Sequence, residues 1–191
     1  MTALSIILII LIIIAVLAIW QFNVLVKLRN AVDNAWAQIE VQLQRRLDLI
    51  PNLVETVKGY ATHESGTLEA VTAARAACMG TKSWDEMLGA QNKLSETLKS
   101  LFAVSENYPE LRASESFTKL QAQLEDTEDK ISYMRQSFND TVMKYNTAIQ
   151  TFPGVLVAGP MGFRKRTSYN ADLGAEVAPV VDFTGSGNEA R

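Results

Sequence analysis

Residues that usually build catalytic or metal centres are scarce in this sequence. Its 191 residues include one cysteine, Cys78, and one histidine, His63. One cysteine cannot form an intramolecular disulfide, and one histidine excludes metal sites that need several histidines. Adjacent helical residues point about 100° apart, so His63 and Glu64 cannot bind one ion together. Because Cys78 falls on an apolar helical stripe, where cysteine acts as a small hydrophobe, we expect no catalytic residue, no metal and no cofactor.

An excess of positive charge is also lacking. The chain has 18 Lys and Arg against 21 Asp and Glu, for a net charge of −3, whereas a nucleic-acid-binding domain would carry a basic face. Neither a G-x-G-x-x-G pattern nor a P-loop pattern occurs. We therefore expect no nucleic-acid partner, no small-molecule substrate and no enzymatic activity.

Charge is absent altogether from the stretch Thr2–Trp20. About twenty apolar helical residues span a bilayer core, so we predict a transmembrane helix at Thr2 to Trp20, within an anchor of residues 1–21. A cleaved signal peptide is the alternative, but the stretch lacks a preceding basic region and is longer than a typical signal core. Lys27 and Arg29 follow it, and basic flanks are retained in the cytoplasm. We expect a single-pass protein of the inner (plasma) membrane with its soluble part in the cytoplasm.

Proline is rare before the C-terminal part of the chain, and apolar residues recur there at helical spacing. Steps of three and four positions predict an all-α domain over residues 22–150 with helices at about 22–49, 51–79, 83–107 and 114–150. Pro51 is expected to end the first helix and to open the second; one kinked, continuous helix is the alternative. Four long helices with short connections predict an antiparallel, up-down four-helix bundle.

Polar residues interrupt the apolar stripes of the first two helices. These seam residues are Arg46, Glu55, Glu64 and Arg75. A turn at Pro51 would bring Arg46 close to Glu55 and would make Pro51 the tip farthest from the membrane. Charges in such a seam usually fix helix register rather than perform chemistry. We therefore expect the substitution Arg46→Met to leave the fold intact or more stable.

The chain changes character after the last helix. Residues 151–183 form an irregular segment that is first apolar and then basic, and residues 184–191 form a predicted disordered tail. An even number of antiparallel helices returns this segment to the bilayer surface, where basic side chains can face anionic head groups. The residues expected to contact lipid are Val155, Leu156, Phe163, Arg164, Lys165 and Arg166. A strap along the flank of the bundle is the alternative.

Three stretches of the sequence resemble the LemA family of bacterial membrane proteins. They are FNVLVKLRNAVDNAWAQIEVQLQRRLDLIPNLVETVKGYATHE from Phe22 to Glu64, TAARAA around Arg75, and KYNTAIQTFPGVLVAGPMGF from Lys144 to Phe163. The resemblance implies one N-terminal transmembrane helix and a bundle of long helices. It supplies no established activity, cofactor or catalytic residue.

Two functions follow from these observations. The first is a scaffold that forms a homo-oligomer at the membrane, using helix faces that carry Trp36, Gln38, Gln42 and Gln44. The second follows from the resemblance, because some LemA proteins are associated with a heat-shock-inducible membrane metalloprotease: the chain would be an adaptor or regulator of such a protease.

Overall fold

The computed structural model describes residues 3–81 and 84–169, and within these ranges it contains helices and no strand. The all-α class is therefore confirmed. The helices are α1 (Ala3–Lys58), α2 (Ser65–Met79), α3 (Trp84–Glu106), α4 (Pro109–Arg112), α5 (Glu115–Gln150) and α6 (Gly154–Ala158). Four parts of the predictions lie outside the described residues: Thr2, the expected helix start at residue 83, residues 170–183 of the apolar and basic segment, and the expected tail at residues 184–191.

The first helix passes through its proline without a break. α1 contains Pro51 in its interior, so the predicted turn there is wrong, and the chain first turns at Gly59–Glu64. Proline offers no N–H to the carbonyl four residues earlier, which belongs to Leu47. The Nε of Arg75 in α2 donates to that oxygen at 2.9 Å. A side chain from the next helix thus supplies the hydrogen bond that Pro51 removes.

Two apolar clusters fill the interior. The distal cluster, far from the apolar segment at residues 3–20, joins the second part of α1 to α2, α3, α4 and the start of α5. The proximal cluster joins the first part of α1 to the second part of α5, to α6 and to residues 163–169, with Leu88 of α3 also present. We call α1 residues 21–43 together with α5 residues 131–150 the stalk, and residues 163–169 the strap.

The two clusters differ in the elements that build them. Beside the proximal cluster the strap packs on α1 and α5 through Phe163 and Tyr169, which are both buried. In the distal cluster, α2 and α3 pack on α1 and α5 in place of the strap. The strap is therefore an integral part of the stalk's core.

Candidate functional site: the exposed lip, the strap and the seam residues

The N-terminal part of α1 is exposed although it is strongly apolar. Its most apolar 18-residue window has a mean hydropathy of 3.3, and none of that window is buried. Within the described residues, α1 is the one helix that is long and apolar enough to cross a membrane. The first buried residue along α1 is Gln21, so packing against the rest of the protein begins where the apolar segment ends.

The short helix α6 docks at this same level of α1. A Cβ atom placed on Gly154 would overlap the carbonyl oxygen of Ala148 and would lie 3.0 Å from the Nε2 atom of Gln21. Only glycine permits so close an approach. The chain that leaves α5 is therefore held against the point at which α1 leaves its apolar segment.

Four large apolar side chains project into solvent around α6. Phe152 is 79% exposed, Val155 48%, Leu156 65% and Met161 59%. We call these four residues the lip. Large apolar side chains clustered within ten residues on a surface indicate a contact with a partner or a membrane. Val155 and Leu156, which were expected to contact lipid, are thus placed on the surface beside the end of the apolar segment.

The expectation that Phe163 contacts lipid is wrong, because this ring is buried. It packs edge-on against Phe22, with the ring centroids 5.7 Å apart. The guanidinium of Arg29 lies 5.5 Å from the centroid of the Phe163 ring, within the range of a cation–π contact. Hydropathy alone cannot distinguish such a core anchor from a residue that contacts lipid.

The basic residues that follow Phe163 are exposed, and two of them contact other parts of the protein. Arg164, Lys165 and Arg166 are all exposed, and Arg166 forms an ion pair with Asp33 at 3.1 Å. The carbonyl of Arg164 accepts a hydrogen bond from the Oη of Tyr145 at 2.9 Å. The predicted strap along the helices, given above as the alternative to lipid contact, describes residues 163–169.

At its far end the strap packs on an aromatic cluster. The ring of Tyr169 lies 6.5 Å from that of Trp36 and 4.4 Å from the guanidinium of Arg135. Trp36 also contacts Phe138, with centroids 5.8 Å apart, and its Nε1 donates to Glu40. Trp36 is therefore half-buried, and the interpretation of it as part of an exposed association face is wrong. Burial raises the pKa of Tyr169.

Arg46 is the most deeply buried charged residue of the predicted seam, with 3% of its surface exposed. Its guanidinium reaches Ser95 Oγ at 2.7 Å and Gln91 Oε1 at 3.5 Å in α3, and Glu128 Oε2 at 3.2 Å in α5. Burial lowers the pKa of Arg46, and the Glu128 carboxylate opposes this shift. The expected proximity to Glu55 is wrong, because both residues lie on one continuous helix and Glu55 faces solvent.

The remaining seam residues also make structural contacts. Glu64 accepts a hydrogen bond from the Oη of Tyr108 at 3.2 Å; partial desolvation and this bond raise the pKa of Tyr108. Arg75 binds the Leu47 carbonyl, as described above. His63 is exposed and Cys78 is buried. Across residues 3–81 and 84–169, no group of three or more His, Cys, Asp or Glu side chains could hold a metal ion.

Comparison with known proteins gives consistent relatives. The sequence profile of the LemA family matches residues 35–183. The magnetosome protein MamQ of Magnetospirillum gryphiswaldense is 25% identical over 187 residues, covering 84% of this chain and 68% of MamQ. MamQ 2 of Paramagnetospirillum magneticum is 24% identical with the same coverage. The protein LemA of Metamycoplasma hominis is 25% identical over 134 residues, covering 68% of this chain and 60% of that protein.

Proposed function

Because this chain belongs to the LemA family, we propose that it is a non-enzymatic scaffold, anchored in the plasma membrane by residues 2–20, that self-associates on the membrane surface. The observation that carries the proposal is the lip. Its apolar side chains are exposed at the level of Gln21, directly after a segment long and apolar enough to cross a membrane. An anchored protein with a second apolar contact beside its anchor is held at a fixed height and tilt.

We further propose that the long helices pack as an antiparallel, up-down bundle. The contacts of α1 with α5, and with Gly154 just after α5, support this arrangement. Gln21 lies beside Gly154, Trp36 beside Phe138, and Arg45 pairs with Asp126 at 3.7 Å. Residue numbers rise along α1 as they fall along α5.

The lip is proposed to insert into the interfacial layer of the bilayer, with basic residues around it. Lys27 and Arg29 follow the apolar segment of α1, and Arg164 and Lys165 follow the lip. Arg166 does not belong to this set, because it pairs with Asp33, about 18 Å along α1 from Gln21. Anionic head groups attract such clusters, and basic flanks are retained on the cytoplasmic side. The proposed orientation therefore places the bundle in the cytoplasm.

Fluorescent labelling of the full chain in lipid vesicles tests the position of the lip. We would replace Cys78 by alanine and attach an environment-sensitive dye at Leu156→Cys or, as a control, at Val41→Cys. The two positions are matched in exposure, at 65% and 63%, but Val41 lies about 30 Å along α1 from Gln21 at 1.5 Å per residue. Lipid-borne quenchers should quench the dye at position 156 and not at position 41. Equal quenching at the two positions would refute the proposed membrane contact.

The size of the detergent-extracted full chain tests self-association. A homogeneous particle containing several copies is the expected result. A single copy that co-purifies with a membrane metalloprotease would instead favour the adaptor function and would exclude the scaffold.

A further inference from the structure

Two asparagines of α5 form hydrogen bonds with the main chain of the strap. Asn146 donates to the carbonyl of Arg166 at 2.8 Å and accepts from the N–H of the same residue at 2.9 Å. Asn139 likewise donates to the carbonyl of Tyr169 at 3.0 Å and accepts from the N–H of Tyr169 at 2.7 Å. Each carboxamide thus satisfies both polar groups of one extended residue. This is recognition of the peptide backbone by a pair of side chains.

The spacing of the two asparagines fits an extended chain. Seven helical residues rise about 10.5 Å, and three extended residues advance about 9–10 Å. The pair Asn139 and Asn146 therefore contacts every third residue of an extended peptide without strain in either element.

Side-chain anchors follow the same period of three. Phe163 enters the site beside Phe22, Arg166 pairs with Asp33, and Tyr169 packs on Trp36. The spacing Phe-x-x-Arg-x-x-Tyr occurs once in the sequence. We call the surface of the stalk that binds the strap the groove; it is formed by Phe22, Asp33, Trp36, Asn139 and Asn146. The groove therefore binds an extended main chain, two aromatic rings and one positive charge, and the sequence contains one segment with this combination.

The connection between α6 and the strap is short and contains two glycines. It consists of residues 159–162, and Gly162 has a φ of +75°, a conformation that favours glycine. Four extended residues reach about 13–14 Å. The connection is folded into turns, in which the N–H of Phe163 donates to the carbonyl of Ala158 at 2.9 Å. Opening these turns would let the strap move away from α6 by up to that length while α6 stays docked.

We propose that the stalk groove also binds the strap of a second copy, so that neighbouring copies exchange residues 163–169. This inference rests on the proposed self-association and identifies its interface. The strap runs along α1 in the direction of increasing residue number, from Phe22 to Trp36. Copies anchored in one membrane with one orientation therefore present the groove to a neighbour's strap in the required direction. Exchange of an identical element needs no new contacts, and confinement to a membrane raises the effective concentration.

Crosslinking between two differently tagged full-length chains tests the exchange. Both chains carry Cys78→Ala; one also carries Asp33→Cys in the groove and the other Arg166→Cys in the strap. The two are reconstituted together in vesicles and treated with a short bismaleimide. Asp48→Cys, exposed on the distal part of α1, replaces the groove cysteine as a collision control. A single chain carrying both Asp33→Cys and Arg166→Cys serves as the folding control.

The expected product is a crosslinked pair containing one chain of each tag, formed with Asp33→Cys and not with Asp48→Cys. Adding Asn139→Ala and Asn146→Ala to the chain that carries Asp33→Cys should lower the yield of this crosslinked pair by about tenfold or more, since the hydrogen bonds of both asparagines to the strap are lost. The matched amide control, Gln136→Ala with Gln150→Ala, alters exposed residues of the same helix and should not change the yield.

Crosslinking confined to single chains would overturn the exchange. The exchange would also be overturned if the yield of crosslinking between chains were unchanged without the two asparagines, or if Asp48→Cys gave the same yield as Asp33→Cys. The outcome is independent of the lip, because the reaction reports on the groove whether or not residues 152–161 contact lipid. A particle of several copies without crosslinking between chains would support the proposed self-association and refute strap exchange as its interface.

Discussion

The hydrogen bond from Arg75 to the Leu47 carbonyl predicts a measurable coupling with Pro51. Proline at position 51 removes the main-chain donor for Leu47 and pushes its ring toward that carbonyl. Arg75 Nε replaces the donor at 2.9 Å. The substitution Arg75→Met keeps most of the apolar stem of the side chain and removes the donor. Its effect should therefore depend on which residue occupies position 51.

The magnitude follows from the environment of this bond. A hydrogen bond from a charged group contributes about 1.5–3 kcal/mol, and a buried carbonyl without a donor costs about 1–3 kcal/mol. Arg75 is half-buried, which places the cost of Arg75→Met at about 1–2 kcal/mol. After Pro51→Ala, the new N–H at position 51 satisfies the Leu47 carbonyl. The cost of Arg75→Met should then fall by about 1 kcal/mol.

The assay is denaturant unfolding of the full chain in mild detergent, followed by far-UV circular dichroism. Four proteins form a double-mutant cycle: the unmodified chain, Pro51→Ala, Arg75→Met and the double variant. Arg112→Met is the control for loss of one positive charge, because Arg112 is exposed on α4. This control should change the free energy of unfolding by less than about 0.5 kcal/mol.

An equal cost of Arg75→Met with proline and with alanine at position 51 would refute this coupling. Distant, independent substitutions add within about 0.3–0.5 kcal/mol. A coupling energy inside that range would mean that Arg75 does not compensate for Pro51, and the continuity of α1 would need another cause.

Three further substitutions or reactions can be predicted. Gly154→Ala should destabilise the chain by about 1–3 kcal/mol because its Cβ overlaps the Ala148 carbonyl, whereas Gly159→Ala, with no atom within 4 Å of its Cβ, should be neutral in the same unfolding assay. Arg46→Met alone should cost about 1–3 kcal/mol, since Ser95, Glu128 and the buried Gln91 lose their contacts with the guanidinium. Adding Gln91→Leu should recover part of that loss by removing the buried amide, and no recovery would contradict the explanation. Because Cys78 is buried and burial raises its pKa, less thiolate is present at a given pH, and native alkylation should be at least about tenfold slower than in the unfolded chain; equal rates would contradict the assigned burial.

Helical periodicity was sufficient for α3 and α5 but not for the boundary between α1 and α2, which lies at residues 59–64 and not at Pro51. The stripes predicted helices at 83–107 and 114–150, and α3 and α5 cover Trp84–Glu106 and Glu115–Gln150. The rule that proline ends a helix failed at Pro51, because the missing donor comes from a residue 28 positions away. Local rules cannot include such a tertiary contact. The revised expectation for Arg46→Met has the same origin, since the partners of Arg46 lie in α3 and α5.

The strap was the part that sequence reasoning could describe least. Phe163 follows an apolar run, and hydropathy is the same for a ring in a core and a ring in lipid. Asn139 and Asn146 carry one weak signal, a separation of seven residues that places them on the same face of a helix. Their function depends on the extended strap, which no periodicity in the sequence predicts. Their role became visible only from the two pairs of hydrogen bonds.

The part of α1 that follows the apolar segment matches α5 in length because α1 continues through Pro51. From residue 22 to Lys58, α1 has 37 residues and is about 55 Å long, whereas a helix that ended at residue 49 would have 28 residues and a length of about 42 Å. α5 has 36 residues and a length of about 54 Å. With the proposed antiparallel packing, the shorter first helix would leave about 12 Å of α5 at the distal end without α1 beside it. The contacts that fix this register involve α1 residues 21–45, so α5 ends near the level of Gln21, where we propose that the lip meets the membrane surface.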